Sequence, residues 1–255
     1  MAATPPFEID RHALRGKVAV ITGASRGLGA GLAARFASYG VELGLCARTE
    51  PKAPSGSRCL TGSVDVADAH ALDHFASAVA RSFGPIDLWV NNAGVLDPMG
   101  PARDATPEAV ARALAVNIGG VVSGAAVFAR MARIWPDARR VLVNVSSGAS
   151  TSIYEGWSVY GATKAAVDHF TEIIDVEEPG LACFSVAPGV VDTDMQAQIR
   201  THGESTFPAI ARFQELHETG AWNSPAWVAD HLAGLLTGAL RPEKVVYRVP
   251  TEPRA

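Results

Sequence analysis

Short apolar runs alternate with segments of helical periodicity along most of the chain. Residues 18–21 form an apolar run typical of a buried strand, and Leu28, Leu32, Phe36 and Tyr39 then recur at helical spacing. The same alternation returns through the rest of the sequence. This pattern predicts an α/β protein in which helices cover a parallel sheet.

The remaining elements are placed by the same two patterns. Further strands are expected at 41–48, up to about 64–66, at 86–94 with its glycine turn, and at 139–147, 181–189 and 245–249. Helices are predicted from Asp68 to Gly84-Pro85, over 106–133 and 158–176, and from about Pro225. Residues 49–58 contain two prolines and are predicted to form a loop with no room for a crossover helix.

Length and charge limit the kinds of protein this can be. A chain of 255 residues, 48% hydrophobic and without a linker-like stretch in its middle, favours a single domain over 15–255 that follows a flexible tail at 1–14. The formal net charge is -4 and no basic block occurs, so no nucleic-acid partner is expected. The apolar runs are shorter than a membrane span, and the first residues do not resemble a signal peptide.

The cysteines give no sign of a metal site or a disulfide framework. Cys46, Cys59 and Cys183 are odd in number and widely spaced. We therefore expect them to be reduced in a cytoplasmic protein, and we expect no bound metal.

Glycines follow the first predicted strand and precede the first predicted helix. Gly23, Gly27 and Gly29 lie at the kind of strand–turn–helix junction where a pyrophosphate approaches backbone N–H groups. Their spacing is Gly-x-x-x-Gly-x-Gly, which differs from the commoner Gly-x-Gly-x-x-Gly dinucleotide fingerprint. The contacts expected from this turn come from Gly23, Ser25, Arg26, Gly27, Leu28 and Gly29.

The end of the second strand indicates which dinucleotide binds. An NAD enzyme often has an acid there for the ribose 2′-hydroxyl, whereas this chain has Ala47 followed by Arg48. A second arginine, Arg26, lies inside the glycine turn. Two arginines without an acid favour a 2′-phosphate and hence NADP(H). The alternative is that both arginines are simply solvated.

A serine, a tyrosine and a lysine form the third feature. Tyr160 and Lys164 are four residues apart and share one face of the predicted helix, and Ser147 precedes Tyr160 by thirteen residues. A nearby ammonium group is expected to lower the phenol pKa from its reference value of about 10. With a serine hydroxyl holding a carbonyl oxygen, this would be a proton-transfer site for ketones and alcohols. The alternative is an ordinary amphipathic helix with an exposed lysine.

Taken in order, these motifs resemble the short-chain dehydrogenase/reductase family over about residues 16–250. The segments that carry the resemblance are TGASRGLG, NNAG, Asn117, Ser147, Tyr160 with Lys164, and APG at 187–189. The resemblance implies a Rossmann-type doubly wound sheet of seven parallel strands in the order 3-2-1-4-5-6-7. It implies a single dinucleotide-binding catalytic domain over 15–255, with a substrate loop at about 190–222.

The resemblance also implies roles for individual residues. Tyr160 would donate the proton, Ser147 would orient the carbonyl, and Lys164 would bind the nicotinamide ribose and lower the tyrosine pKa. Asn117 would hold a water in the proton relay. Further cofactor contacts would come from Asp65, Val66, Asn92, Ala93, Gly94, Pro188, Gly189, Val191 and Thr193. The long helices 106–133 and 158–178 would form a homodimer, with a tetramer as the alternative.

The second half is similar to benzil reductase-type carbonyl reductases, which suggests NADPH-dependent reduction of a ketone or vicinal diketone. The C-terminal KVVYRVPTEPRA has no aspartate of the kind that anchors a pterin in sepiapterin reductases. The predicted substrate wall consists of Trp157, Met195, Phe207, Phe213 and Trp222, with ordinary core packing as the alternative for each.

Two other functions are alternatives to a carbonyl reductase. A 3-oxoacyl carrier-protein reductase would need a basic rim, whereas 190–222 has Arg200 and Arg212 against five acidic residues. A non-catalytic NADP-sensing protein would commonly lose the tyrosine or the lysine, and this chain keeps Asn117, Ser147, Tyr160 and Lys164.

Overall fold

The computed structural model describes residues 4–135, 138–203 and 206–254. The strands are β1 Val18–Thr22, β2 Glu42–Ala47, β3 Cys59–Ser63, β4 Leu88–Asn91, β5 Arg140–Val145, β6 Leu181–Ala187 and β7 Val246–Arg248. The helices are α1 Arg11–Leu14, α2 Gly27–Ser38, α3 Ala69–Phe83, α4 Pro107–Leu114, α5 Gly120–Ala132, α6 Ser158–Glu177, α7 Asp194–Arg200, α8 Ile210–Thr219 and α9 Pro225–Thr237.

The seven strands form one parallel sheet in the order β3-β2-β1-β4-β5-β6-β7. This confirms the predicted fold and strand order. As predicted, β2 and β3 are joined by a loop rather than a helix. Because parallel strands need cover on both faces, their side chains alternate between two apolar layers. In one layer Ile21 and Val90 pack with α2 and α9, and in the other Val20 and Trp89 pack with α3 and α5.

The predicted helix over 106–133 contains a π-helical turn. Thr106 caps its start by accepting a hydrogen bond from the Ala109 N–H, and a π turn at Ala115–Gly119 separates α4 from α5. Single π turns often occur at functional sites, and this one carries Asn117.

This helix is also long and apolar enough, by length and composition, to cross a membrane. The span Pro107–Ala132 has the length and mean hydropathy of a membrane-spanning helix. This was not expected from the sequence, because small and polar residues interrupt its apolar runs. Its inner face is buried: Val121, Val127 and Phe128 are each at most 3% exposed. The inner face of this helix therefore packs in the core of the domain.

Part of the predicted tail packs against the domain. Leu14 is fully buried, and the Phe7 ring meets the His231 ring edge-on at 5.2 Å. Asp10 caps the short helix α1 through the N–H groups of His12 and Ala13. Residues 4–14 are thus held by apolar contacts with α9, which differs from the expected loose tail, whereas residues 1–3 of that tail lie outside the described residues.

The predicted substrate loop at 190–222 contains the helices α7 and α8, with residues 204–205 outside the described part. These helices enclose an apolar cluster of their own, separate from the two layers that cover the sheet. Its buried members are Leu96, Ala149, Trp157, Tyr160, Ile199, Phe207, Ile210 and Phe213.

Candidate active site

One large cavity opens at the carboxyl ends of the strands, where open parallel sheets bind their ligands. Its volume is about 1340 Å³, larger than the roughly 300–1,000 Å³ of a typical small-molecule pocket. The predicted cofactor-binding residues that line it are Gly23, Ser25, Arg26, Gly27, Leu28, Gly29, Arg48, Asp65, Val66, Asn92, Ala93, Gly94, Pro188, Gly189, Val191 and Thr193. Ser147, Tyr160 and Lys164 line the same cavity.

The glycine turn leaves the start of α2 open to this cavity. Gly23 and Gly27 have positive φ angles of 67° and 57°, and no side chain caps the first N–H groups of α2. A Cβ on Gly29 would lie 2.5 Å from the Gly23 carbonyl oxygen, so the turn accepts no side chain there. An uncapped helix N-terminus is suited to a phosphate, so the turn fits the pyrophosphate of a dinucleotide.

The turn after β4 is tied to the glycine turn. The Asn92 side chain donates to the Thr22 carbonyl at 2.9 Å and to the Gly23 carbonyl at 3.2 Å. The Thr22 hydroxyl in turn accepts from the backbone N–H of Asn92 and of Ala93, both at 3.1 Å. Two cofactor-binding turns predicted separately are therefore one hydrogen-bonded unit.

The two arginines proposed for the 2′-phosphate lie on this part of the cavity wall. Ala47 and Arg48 both line the cavity at the end of β2, and neither position is an acid. Arg26 forms an ion pair with Asp194 at 3.3 Å, and both side chains are largely exposed. The ion pair joins the glycine turn to α7, a contact that the spacing of these residues along the sequence does not reveal.

Ser147, Tyr160 and Lys164 are delivered by two neighbouring elements. Ser147 follows β5 and caps a short 3-10 turn, its hydroxyl oxygen accepting the Ala149 N–H at 3.2 Å. Tyr160 lies in the first turn of α6 and Lys164 one turn later, both buried. The Lys164 ammonium group donates to the Val145 carbonyl at 2.7 Å. Since an ammonium group has three donors, two remain for a ligand in the cavity.

The titration of Tyr160 differs from the prediction. Burial raises the pKa of Tyr160 above its usual 10, while the nearby Ser147 hydroxyl opposes that rise. Lys164 does not bring about the expected lowering: its nitrogen lies 5.8 Å from the centre of the Tyr160 ring. Burial lowers the pKa of Lys164 itself to about 8, and the Asp168 charge opposes this. At neutral pH Tyr160 is therefore a protonated phenol, which is the form that can donate a proton.

The side chain of Asn117 is fully buried and committed to other bonds. Its oxygen accepts the Val95 N–H at 2.8 Å, and its NH₂ group donates to the Val95 carbonyl at 2.9 Å and the Thr163 hydroxyl at 3.2 Å. Both side-chain donors are thus used. A relay water at Asn117 could therefore hydrogen-bond only to the oxygen atoms of this residue. The side-chain amide of Asn117 joins the turn at Val95 to Thr163 on α6.

Four of the five residues predicted for the substrate wall line the cavity, namely Trp157, Met195, Phe213 and Trp222. Phe207 is fully buried instead and stacks on Trp157 at 4.6 Å, so it supports the wall from behind rather than forming it. Trp157 and Phe207 are both apolar, so the sequence alone does not show which of them lines the cavity and which packs behind it. The prediction also missed other lining residues, namely Leu96, Tyr154, Ile199 and Leu216.

The C-terminal segment holds one acid that could matter for a polar substrate. Glu252 accepts the Ser224 N–H at 2.6 Å and donates its own N–H to the Asn223 side chain at 2.7 Å. Its carboxylate therefore fastens the C-terminal segment to the start of α9. Thr251 and Val249 line the cavity on this side.

Comparison with known proteins agrees with this geometry. The family model described as short chain dehydrogenase matches residues 17–204. Benzil reductase ((S)-benzoin forming) of Bacillus cereus is 32% identical over 90% of this chain and 98% of that protein. Benzil reductase ((S)-benzoin forming) IRC24 of Saccharomyces cerevisiae is 35% identical over 87% of this chain and 90% of that protein.

A solved structure supports the same relationship. The crystal structure of the KRED1-Pglu enzyme superposes with a TM-score of 0.82 at 33% identity, covering 91% of this chain and 99% of that one. The sequence relatives and the solved structure thus each match this chain over nearly the whole domain.

Proposed function

The chain belongs to the short-chain dehydrogenase family of oxidoreductases, and we propose that its reaction is the NADPH-dependent reduction of a ketone or vicinal diketone. The observation that carries the proposal is the meeting of the Ser147, Tyr160 and Lys164 side chains on the wall of one large cavity. The similarity to two benzil reductases over most of the chain supports a diketone as substrate.

The chemistry divides between the cofactor and these side chains. Bound NADPH would supply the hydride, which is the chemistry of the nicotinamide ring. Tyr160, a protonated phenol in this site, donates its proton to the carbonyl oxygen of the substrate. Ser147 donates a hydrogen bond to the same oxygen, and a donor aimed at a developing oxyanion is worth about 3 kcal/mol. Lys164, with two N–H donors left, remains to hold the ribose hydroxyls.

The proposal of NADPH rather than NADH is supported by charge. Arg48 and Arg26 line the cavity where the adenosine ribose of a dinucleotide on the glycine turn would lie. Binding of a 2′-phosphate by Arg26 would compete with its exposed ion pair to Asp194, which is weak enough to exchange.

The aromatic residues on the cavity wall favour a flat, apolar substrate. Trp157, Phe213 and Trp222 offer ring faces and edges to such a substrate. The buried Trp157 Nε1 has no hydrogen-bond partner among the described residues, which leaves one donor for a carbonyl oxygen. A pterin would need partners for its ring nitrogens, and each one left unpaired would cost about 1–3 kcal/mol. Glu252, the acid in the C-terminal segment, is already bonded to Ser224.

The assembly and location belong to the same proposal. We propose a homodimer in which α4, α5 and α6 form the interface. Exposed apolar side chains lie on each of these helices, namely Leu114, Val122, Ile173 and Val176. The enzyme is proposed to be soluble and cytoplasmic, in keeping with the three free cysteines.

A substrate panel tests this function. With saturating NADPH, kcat/KM should be highest for benzil, lower for a small aliphatic diketone and lowest for sepiapterin. The same assay with NADH should give a lower kcat/KM for benzil. A clear preference for sepiapterin would contradict the proposed substrate, and a preference for NADH would contradict the role given to the two arginines.

A further inference from the structure

Lys164 is a buried cation without a direct ion pair. It is 5% exposed, and its described partner is the neutral carbonyl of Val145. Within the described part of the chain no carboxylate forms a salt bridge with it. Burying an ammonium group is costly unless another charge offsets the loss of water. Something in its surroundings must therefore favour the charged form.

The same face of α6 carries an acid one helical turn after Lys164. Lys164, Asp168 and Thr171 follow one another at spacings of four and three residues, so they form a stripe on the helix. All three are buried against the sheet. Thr171 is neutral and accepts a hydrogen bond from the Asn144 side chain at 2.9 Å. Asp175 continues the stripe but accepts the Cys183 N–H at 3.1 Å, so Asp168 is the acid of this stripe nearest to Lys164 along the helix.

Asp168 is fixed in place from the sheet. The Ser185 hydroxyl, fully buried on β6, donates to the Asp168 carboxylate at 2.6 Å. Lys164 is anchored in the same way on the neighbouring strand, through Val145 at the end of β5. Since β5 and β6 pair directly, with Val145 opposite Val186, the two charges are held one helical turn apart over adjacent strands.

We propose that Asp168 is a positioning residue for the reaction: its anchored carboxylate keeps Lys164 charged at the wall of the cavity. This proposal rests on the proposed function, because the charge matters there for holding the ribose of the cofactor. Ser185 provides the anchor, and Asp168 itself does not line the cavity.

The electrostatics of Lys164 agree with this arrangement. Burial lowers the pKa of Lys164 to about 8, and Asp168 is the group whose charge opposes that change. The titratable groups that face Lys164 are Tyr160 and Asp168, both from α6. The strands and the π turn contribute the neutral Val145 carbonyl and the neutral side chains of Ser185 and Asn117. Without Asp168 the ammonium form would be lost at lower pH.

A merely structural role can be separated from this one. Asp168→Asn removes the charge but keeps an oxygen that accepts the Ser185 hydroxyl, whereas Ser185→Ala removes the hydrogen bond but keeps the charge. A structural tie between α6 and β6 predicts that Ser185→Ala causes the larger change. A charge effect on Lys164 predicts that Asp168→Asn shifts its titration more than Ser185→Ala does.

The chain makes a direct measurement practical, because its lysines are only Lys17, Lys52, Lys164 and Lys244. In protein labelled with ¹³C-lysine, the Cε resonance of Lys164 is assigned by its absence in Lys164→Arg and followed against pH by NMR. The midpoint is expected near 8 in the unaltered protein and lower by about one pH unit or more in Asp168→Asn. Ser185→Ala keeps the charge one helical turn from Lys164 but loses its anchor, so it should shift the midpoint by less than Asp168→Asn does.

The alkaline limb of kcat/KM for benzil reduction should move with the NMR midpoint. Asp168→Ser, which also removes the charge without adding bulk, should give the same shift if the asparagine variant does not fold. An unchanged Lys164 midpoint in a folded neutral variant would overturn the proposal, as would a shifted midpoint with an unchanged kcat/KM profile. If the unaltered protein reduces no carbonyl, the proposed function fails, yet the NMR titration still decides whether Asp168 controls Lys164.

Discussion

The two ends of the cavity are held together by different interactions. The glycine end, formed by residues 23–29, 64–66 and 92–94, is a network of backbone groups, in which the Thr22 hydroxyl and the Asn92 side chain join two turns. The aromatic end, formed by Trp157, Met195, Phe213, Trp222 and their neighbours in 190–222, is held by side-chain packing around Phe207.

This difference has a physical reason. A pyrophosphate is bound by N–H groups at a helix N-terminus, so the backbone must come close and only certain residues fit. An apolar substrate needs a surface of suitable shape, which many combinations of apolar side chains provide. The glycine end therefore tolerates few changes, and the aromatic end is where specificity can vary.

Tyr160 lies where the two ends meet, and its substitution should have the largest effect. Its ring packs edge-on against Trp157 at 5.5 Å, and the Lys164 nitrogen lies 5.8 Å from the centre of the ring. Tyr160→Phe keeps the ring but removes the proton donor, so kcat for benzil should fall by about a hundredfold or more. The dissociation constant for NADPH, measured by fluorescence titration, should barely change. Near-normal turnover would remove Tyr160 from the mechanism.

Gly29→Ala should damage the glycine end selectively. The added Cβ would lie 2.5 Å from the Gly23 carbonyl oxygen and 2.6 Å from the Asn92 amide nitrogen. Such overpacking costs about 1–3 kcal/mol, so both the thermal midpoint and the affinity for NADPH should fall.

Gly180→Ala is the matched control for that substitution. A Cβ at Gly180 meets nothing within 4 Å, and its φ angle is not positive. Its thermal midpoint and NADPH affinity should stay close to those of the unaltered protein. If Gly29→Ala bound NADPH as well as this control does, the glycine end would not be the rigid cofactor site described.

Met195→Ala should produce the smallest effect, confined to the aromatic end. Met195 lies on α7, partly buried, and lines the cavity. Losing part of an apolar contact of this size should raise KM for benzil by up to about tenfold, while the affinity for NADPH stays unchanged. Met131→Ala, on α5 and partly buried against the second apolar layer, is the control for loss of a methionine side chain as such. An equal change in both variants would show that Met195 has no special place in substrate binding.

The same contrast explains which predictions from the sequence succeed. The strand positions and the glycine turn were predictable because each depends on short-range spacing: an apolar run, glycines directly after it, then a helical period. The strand order pairs segments far apart in the chain, and it was implied only by the family resemblance. Residues 49–58 were predictable as a loop for a similar reason, since prolines and glycine exclude a helix locally.

Predictions that depend on packing were less successful. Phe207 and Phe213 are both aromatic residues of one segment, yet the first is fully buried behind Trp157 and the second lines the cavity. The direction of the Tyr160 pKa shift was missed because burial, which dominates it, is set by α6, α7 and α8 together. The ion pair between Arg26 and Asp194 joins residues too far apart in the chain for spacing to reveal.

The central claim is that Tyr160 and Ser147 complete a hydride transfer to a carbonyl carbon in this cavity. It is tested most directly with NADPH that carries deuterium at the transferable position of the nicotinamide ring. Reduction of benzil by the unaltered protein should give benzoin that carries deuterium at the carbinol carbon, with one NADPH oxidised per benzoin formed. Under the same conditions Tyr160→Phe should bind the cofactor but form almost no labelled product. Benzoin without deuterium, or labelled product formed equally fast by Tyr160→Phe, would contradict the account.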